Sequence, residues 1–281
     1  MAKYSRIEWT DATWSPVTGC APISEGCQNC YAQRMANRLR GRCGYPADDP
    51  FRVTLHPERL GEPLRWRKPS RVFVCSMGDL FHPDVQPIWL SMIFNVIREC
   101  PQHTFMVLTK RPEIALEHLG NAMLQPYFGL PNLWIGVTAE NQQRADERIP
   151  ILLEIPAAVR FVSVEPMLGP VDLSKWLGGT WYCETCECTV DPEFVPFSEI
   201  HYPCENYLDF IPGIDWVICG SESGPNHRKT KIEWIRDLRE QCISANVPFF
   251  LKQMEINGRM VKMPELDGKI WAQFPEVQYA S

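Results

Sequence analysis

Short apolar runs alternate along most of the chain with stretches whose apolar residues recur every three or four positions. The repeat of three and four predicts amphipathic helices, for example over residues 88–99 and through Ile232, Ile235 and Leu238. Strands separated by such helices form βα units with a parallel sheet that is buried on both faces. With a short strand before residue 20, six or seven units predict an α/β protein built as a full or partial (β/α) barrel. The apolar runs are residues 71–75, 104–108, 133–137, 159–164, 214–219 and 247–251.

Polar side chains stand at the ends of these predicted strands. In a barrel, the carboxyl ends of parallel strands meet on one face, and that face carries the chemistry. Ordinary loop polarity explains any one of these residues, but not six in equivalent places. We therefore expect a candidate active site at this face. The residues are Asp79, Lys110, Glu140, Glu165, Glu222 and Lys252.

Three cysteines, Cys20, Cys27 and Cys30, lie within eleven residues in a Cys-x6-Cys-x2-Cys arrangement, before a predicted helix. A structural zinc site needs four ligands, whereas a [4Fe–4S] cluster held by three thiolates keeps one iron open for a substrate or cofactor. The nearest histidine in sequence, His56, lies well outside the loop. The spacing favours the cluster; a zinc knuckle and buried free thiols are the alternatives.

Residues 176–212 interrupt the regular pattern with a cysteine-rich insertion. Four thiols in a segment without its own core predict a structural zinc, and an auxiliary iron–sulfur cluster is the alternative. His201 is a substitute ligand. We expect a barrel over residues 1–175 and 213–255, the insertion over 176–212 and a C-terminal extension over 256–281. The predicted metal ligands of the insertion are Cys183, Cys186, Cys188 and Cys204.

The composition and the apolar pattern indicate the cellular compartment of the protein. Of the 281 residues, 45% are hydrophobic and 22% charged, as in an ordinary globular enzyme. No apolar run is long enough to span a bilayer, and the N-terminal residues lack the basic-then-apolar layout of a signal peptide, so we expect a cytoplasmic protein. In that compartment, twelve cysteines favour metal sites or reactive thiols over disulfides.

The net charge of −6 argues against a long, sequence-independent grip on duplex DNA. A local basic patch is nevertheless present, and a solvated helix face with a polar loop is the alternative interpretation. The patch consists of Arg34, Arg38, Arg40 and Arg42, followed by Arg65, Arg67, Lys68 and Arg71.

A cysteine loop after the first strand of such a barrel resembles the radical S-adenosylmethionine (SAM) superfamily. The usual spacing there is Cys-x3-Cys-x2-Cys with an aromatic residue before the last cysteine, whereas here the first spacer has six residues and Asn29 precedes Cys30. Five segments are similar to a phage-encoded radical-SAM-like family named only after phage gene products. They are residues 14–20 (WSPVTGC), 76–82 (SMGDLFH), 108–111 (LTKR), 164–169 (VEPMLG) and 220–224 (GSESG).

The resemblance implies roles for particular residues. The three cysteines would hold the [4Fe–4S] cluster, whose open iron would chelate the amino and carboxylate groups of SAM. The loop of Ser76, Met77, Gly78 and Asp79 would meet the methionyl ammonium. Thr138 and Glu140 would touch the ribose, and Gly220, Glu222 and Gly224 would approach the adenine or the substrate. Capping of a helix by Asp79 and a simple turn at residues 220–224 are the structural alternatives.

We therefore expect a radical SAM enzyme that cleaves SAM, with a reductant protein as electron donor, and abstracts a hydrogen atom from its substrate. A nucleotide or nucleic acid is the expected substrate, and no membrane is involved. Two other classes compete with this interpretation: a non-catalytic zinc-binding module that contacts nucleic acid or protein, and an iron–sulfur protein that only transfers electrons.

Overall fold

An eight-stranded sheet forms the centre of the protein in the computed structural model, which describes residues 5–183, 188–190, 200–201, 206–207 and 209–276. The strands lie side by side in chain order; the first seven are parallel and the last is antiparallel. They are β1 (Ala12–Trp14), β2 (Arg71–Val74), β3 (Thr104–Thr109), β4 (Leu133–Thr138), β5 (Val159–Val164), β6 (Trp216–Gly220), β7 (Phe249–Ile256) and β8 (Arg259–Lys262).

The strand order identifies a partial (β/α) barrel. Each successive unit adds its strand at the same edge, whereas a doubly wound sheet reverses its order. β1 and β8 are the two free edges of this open sheet. The predicted fold is thereby confirmed in its partial form, and each of the seven parallel strands coincides with a predicted strand.

The helices lie in the connections between these strands. Pro57, Pro87 and Pro112 begin three of them, where the missing N–H of proline costs nothing. The α-helices are α1 (Tyr31–Arg38), α2 (Pro57–Leu60), α3 (Pro87–Glu99), α4 (Pro112–Glu117), α5 (Gln142–Glu154) and α6 (Ile232–Ser244). Short 3₁₀ helices span Glu25–Cys27, Pro63–Arg65, His118–Gly120, Gln125–Tyr127 and Ser174–Trp176.

The two faces of the sheet bury different cores. Along β4, Leu133, Ile135 and Val137 belong to the core that also contains the helices, whereas Trp134 points to the opposite, concave face. This alternation follows from the two-residue period of a strand. Aromatic rings fill the concave face, where Trp216 stacks edge-on against Trp9 and Trp134. The concave face is therefore covered by a buried aromatic cluster, which we call the aromatic floor, beneath the carboxyl ends of the strands.

Residues 41–70, predicted to be a long connection, contain α2 and a two-residue strand, Thr54–Leu55. This strand pairs antiparallel with Val17–Thr18, directly before the first cysteine. The connection thus fixes the start of the cysteine loop.

The insertion is built from short antiparallel strands. Thr180–Cys183 pairs with Cys188–Val190 and Asp209–Ile211, and Ile200–His201 pairs with Asn206–Tyr207. Cys183 lies opposite Cys188 in this pairing, whereas Cys186 and Cys204 lie outside the described residues. The predicted metal site and the domain boundaries stay predictions.

After β7, the chain continues on the same sheet. β8 pairs with β7, and Glu265–Leu266 forms a small hairpin with Lys269–Ile270. Phe274 then packs its ring against Trp216, 5.2 Å between centroids, and so completes the aromatic floor. Within the described part of the chain, no helix has the length and apolar character needed to cross a membrane.

Candidate active site

A cavity of ≈ 260 Å³ opens at the carboxyl ends of the parallel strands. The three thiols line it from the side of the cysteine loop, and five of the six predicted strand-end residues line it as well: Asp79, Lys110, Glu165, Glu222 and Lys252. Glu140 lies behind the wall and is fully buried. The apolar part of the lining includes Trp9, Phe73 and Leu108. The fold therefore gathers the cysteine loop and the strand ends around one space.

Close backbone contacts set the path of the cysteine loop. Gly19, with φ +93°, forms a bridge to Gly78 in the loop after β2. A Cβ on Gly78 would lie 2.7 Å from the Gly19 carbonyl oxygen, and a Cβ on Gly19 would collide with the backbone of Arg52. A short 3₁₀ helix then carries Cys27, and Cys30 precedes α1 directly. All three thiols are partly buried as a result.

Asp79 connects the loop after β2 to the loop after β3 and, through Arg111, to the first cysteine. Its carboxylate accepts hydrogen bonds from the Thr109 hydroxyl at 2.7 Å, from the backbone N–H groups of Phe81 and Lys110, and from Arg111 at 3.1 Å. Arg111 also donates to the Cys20 sulfur at 3.4 Å and to the Ala21 carbonyl. Four donors occupy the four acceptor positions of this carboxylate.

Glu140 supports the middle of the cysteine loop. Its carboxylate accepts a hydrogen bond from the Ser24 hydroxyl at 2.5 Å and one from the buried Arg148 at 2.8 Å, and the Lys110 ammonium lies 3.7 Å away. A Cβ on Gly26 would collide with this carboxylate, so a side chain at that point would displace either Glu140 or the loop. Glu140 does not line the cavity.

Glu222 supports the end of the loop. It accepts hydrogen bonds from the Asn29 amide at 2.9 Å and from the backbone N–H and guanidinium of Arg228. Arg228 in turn donates to the Glu25 carbonyl. Burial raises the pKa of Glu222, but the hydrogen bonds from Arg228 and Asn29 outweigh it and lower this pKa to about 2.

Glu165 and Lys252 form an ion pair on the opposite wall of the cavity, with 2.5 Å between the ammonium nitrogen and a carboxylate oxygen. Both side chains keep 18% of their surface exposed. The buried Ser221 hydroxyl beside them has no hydrogen-bond partner among the described residues. This wall offers an ammonium group and a carboxylate to a molecule in the cavity.

The thiols feel opposite influences. Burial and the charge of Asp79 raise the pKa of Cys20 to about 11, against the lowering effect of Arg111. Burial also raises the pKa of Cys27, but a backbone hydrogen bond with Ile23 and the charge of Lys110 bring it below its ordinary value. Within the described ranges, no three His, Cys, Asp or Glu side chains are arranged to ligate one metal ion.

The other predicted site residues divide between the cavity and its supports. Ser76, Gly78 and Thr138 line the cavity. Met77 packs with Cys20 and Cys30 in a small apolar cluster. Gly220 lies against the Glu165 side chain, and Gly224, with φ +102°, lies against the Arg34 guanidinium.

Sequence reasoning missed the arginines that hold the three carboxylates: Arg111, Arg148 and Arg228. Only Arg111 stood in a motif that the sequence singled out, after Thr109 and Lys110. Ser24, which donates to Glu140, was equally invisible because its partner lies 116 residues away. For Arg111, the sequence offered a signal, because this arginine follows directly after a predicted strand end, whereas Arg148 lies within helix α5.

The donor set fits an iron–sulfur cluster. Three thiols face one cavity, and glycines at positions 19, 26 and 78 let the backbone pass where side chains would collide. Thiolates are the usual ligands of such clusters, and cations beside them offset their charge. Arg111 and Lys110 supply those cations.

Comparison with solved structures gives likenesses of low identity. A mutant of spore photoproduct lyase is 10% identical with a TM-score of 0.47, over 85% of this chain and 75% of that chain. A mutant of the same lyase with bound AdoMet and dinucleoside spore photoproduct is 14% identical with a TM-score of 0.40, over 55% of this chain. The match spans 45% of the length of that lyase chain.

No curated protein matches the sequence. A family model does match, over residues 4–275, and its description is "Protein of unknown function (DUF5131)". Because the match covers nearly the whole chain, the protein belongs to the DUF5131 family.

Proposed function

We propose that the protein is a radical SAM enzyme, with Cys20, Cys27 and Cys30 holding a [4Fe–4S] cluster at the mouth of the cavity. The observation that carries the proposal is the placement of these three thiols around the same cavity as the polar strand ends of a partial (β/α) barrel. When bound, the cluster and SAM supply reductive cleavage of SAM and abstraction of a hydrogen atom from the substrate.

The chain's own residues would hold the loop and exclude water. Asp79, Glu140 and Glu222 fix the loop near its first cysteine, its middle and its end. Because the Asp79 carboxylate already accepts four hydrogen bonds, we assign it to holding Arg111 beside Cys20 rather than to direct contact with an ammonium group. Trp9, Phe73 and Leu108 make part of the cavity wall apolar, which keeps water from competing for a reactive species.

SAM would lie between the cysteine loop and the strand ends. Ser76, Gly78 and Thr138 are predicted contacts that line the cavity, as do the predicted contacts Asp79 and Glu222. Glu165, directly after β5, and Lys252, on β7, face the same space and would orient the substrate or the cofactor. A nucleotide or nucleic acid is the proposed substrate, and an external reductant is required. Membership of the phage-encoded family and the metal of the insertion stay predictions.

Product analysis tests the proposal. The protein is reconstituted anaerobically with iron and sulfide, reduced, and mixed with SAM; we expect 5′-deoxyadenosine and methionine. The Cys27→Ala variant is expected to form neither, while a Cys43→Ala variant, which removes an exposed thiol outside the loop, is expected to form both. A stable cluster without SAM cleavage would favour electron transfer, and stoichiometric zinc in a colourless protein would favour the zinc-binding module.

A further inference from the structure

Helix α1 begins at the mouth of the cavity with an exposed aromatic ring and continues with arginines. Tyr31 is its first residue, lines the cavity and keeps 56% of its surface exposed. Arg34 and Arg38 follow at spacings of three and four, and Arg42 follows four residues later in the turn after the helix. Positions three and four apart share one face of a helix, so Tyr31, Arg34 and Arg38 lie on one face of α1. The Arg42 guanidinium donates to the Arg38 carbonyl and so lies beside the end of the helix. We call Arg34, Arg38 and Arg42 the arginine ridge.

The arginine ridge has no acidic partner in the described ranges. Arg38 and Arg42 are exposed, and no carboxylate of a described residue lies within ion-pair distance of any of the three arginines. Arg111, Arg148 and Arg228, by contrast, each have a carboxylate. In a chain with 34 acidic and 28 basic residues, three unpaired arginines in a row are a local excess of positive charge.

The arginine ridge is physically joined to the cavity. Arg34 donates to the Ser223 carbonyl at 3.2 Å, and Ser223 lines the cavity. From Tyr31 to Arg38 the helix rises roughly 10 Å, at about 1.5 Å per residue. A bound chain that followed the ridge would therefore reach the cavity mouth at its Tyr31 end.

Two chemical features together identify the ligand. Guanidinium groups bind phosphates through paired, charge-assisted hydrogen bonds, and a row of them matches a repeating phosphate backbone. An exposed aromatic ring offers a stacking surface for a base, which only an unpaired base can use. An acidic polypeptide would match the charges of the arginines but has no base that could stack on the ring of Tyr31.

We propose that the arginine ridge and Tyr31 bind single-stranded nucleic acid, with the backbone along the arginines and one base stacked on Tyr31 at the cavity mouth. As a statement about substrate, this inference rests on the proposed function. Binding itself does not require SAM cleavage, so the two are tested separately.

The test is fluorescence anisotropy of a 12-nucleotide single strand, as DNA and as RNA, with the reconstituted protein between 50 and 200 mM salt. The Arg38→Ala/Arg42→Ala variant is expected to reduce the slope of log affinity against log salt by about 1.4, or 0.7 for each lost phosphate contact. The matched control is Arg67→Ala/Lys68→Ala, which removes two exposed charges before β2, at the opposite end of the strands. The control is expected to keep the wild-type slope.

Tyr31 is tested by two substitutions. Tyr31→Ala is expected to weaken binding about tenfold, within the range measured for stacked bases, whereas Tyr31→Phe keeps the ring and is expected to bind as the wild type does. A duplex of the same length is expected to bind more weakly than the single strand, because its bases are already stacked.

Several results would overturn the inference. One is an equal salt slope for the arginine-ridge variant and its control, and another is tighter binding of the duplex than of the single strand. A third is an affinity for polyglutamate that equals the affinity for the oligonucleotide and that Tyr31→Ala does not change. SAM cleavage without oligonucleotide binding would reject this surface and leave the proposed function standing. Oligonucleotide binding through the arginine ridge without SAM cleavage would support this surface and reject the proposed function.

Discussion

The strand ends of this barrel carry two kinds of charged residue that look alike in sequence and act differently in the fold. The carboxylates Asp79, Glu140 and Glu222, after β2, β4 and β6, are buried, and each is bound by an arginine. Glu140 and Glu222 contact the cysteine loop directly, and Asp79 reaches it through Arg111. The Glu165–Lys252 pair, after β5 and on β7, faces the cavity and keeps part of its surface exposed. We infer that burial and hydrogen-bond partners separate the strand-end residues that support the cysteine loop from those that are free to contact a molecule in the cavity.

The largest difference between the two groups is expected in stability when a supporting carboxylate is removed. Glu140→Ala leaves Arg148 buried without a countercharge, at a cost of about 3–5 kcal/mol in the free energy of unfolding, measured by urea denaturation. The Glu140→Leu/Arg148→Met variant, which removes both charges, is the control and is expected to lose less. A loss below about 1 kcal/mol for Glu140→Ala would mean that this carboxylate does not support the fold.

The next effect depends on pH. The pKa of Glu222 is lowered to about 2 in the folded state, from about 4.5 in the unfolded chain. Its ionised form therefore stabilises the fold fully above pH 4.5. This contribution is lost as the pH falls through 2. The shift corresponds to roughly 3 kcal/mol at neutral pH. Unfolding curves of the wild type and Glu222→Gln are expected to differ by this order at pH 7 and to converge as the pH falls from about 5 towards 2. A difference independent of pH would assign the effect to shape and not to charge.

A smaller loss of stability is expected when the loop is forced away from its support. Gly26→Ala adds a methyl group against the Glu140 carboxylate, and overpacking of this kind costs about 1–3 kcal/mol. The displaced loop is also expected to retain less iron after reconstitution. Gly120→Ala is the matched control, because a Cβ at Gly120 meets nothing within 4 Å. Equal iron content in the two variants would contradict this role for Gly26.

The smallest effect on stability is expected for the cavity-facing pair. Removal of both charges in Glu165→Gln/Lys252→Met is expected to change the free energy of unfolding by less than about 1 kcal/mol, because replacing both partners of a largely buried ion pair leaves no uncompensated charge. Iron content is expected to stay at the wild-type level, while formation of 5′-deoxyadenosine or of product falls at least about tenfold, or 1.4 kcal/mol in activation free energy. A loss of stability larger than that of Glu140→Ala would reverse the comparison.

The sequence was sufficient for the sheet and for the cavity wall. The seven parallel strands were predictable because their apolar runs are local, and the three cysteines because their spacing is short. The division of the strand ends was not predictable, because it depends on arginines that reach each carboxylate through the fold: Arg111 lies 32 residues after Asp79. The short helix α2 was not predictable either, because four residues are too few to show a helical period.

We propose that three carboxylates hold the cysteine loop so that its thiols bind one cluster with an iron open to SAM. The most direct measurement is the low-temperature electron paramagnetic resonance spectrum of the reconstituted, reduced protein with and without SAM. We expect a [4Fe–4S] signal that changes when SAM is added and that is absent from the Cys27→Ala variant. A signal that survives Cys27→Ala, or one that SAM leaves unchanged, would contradict it.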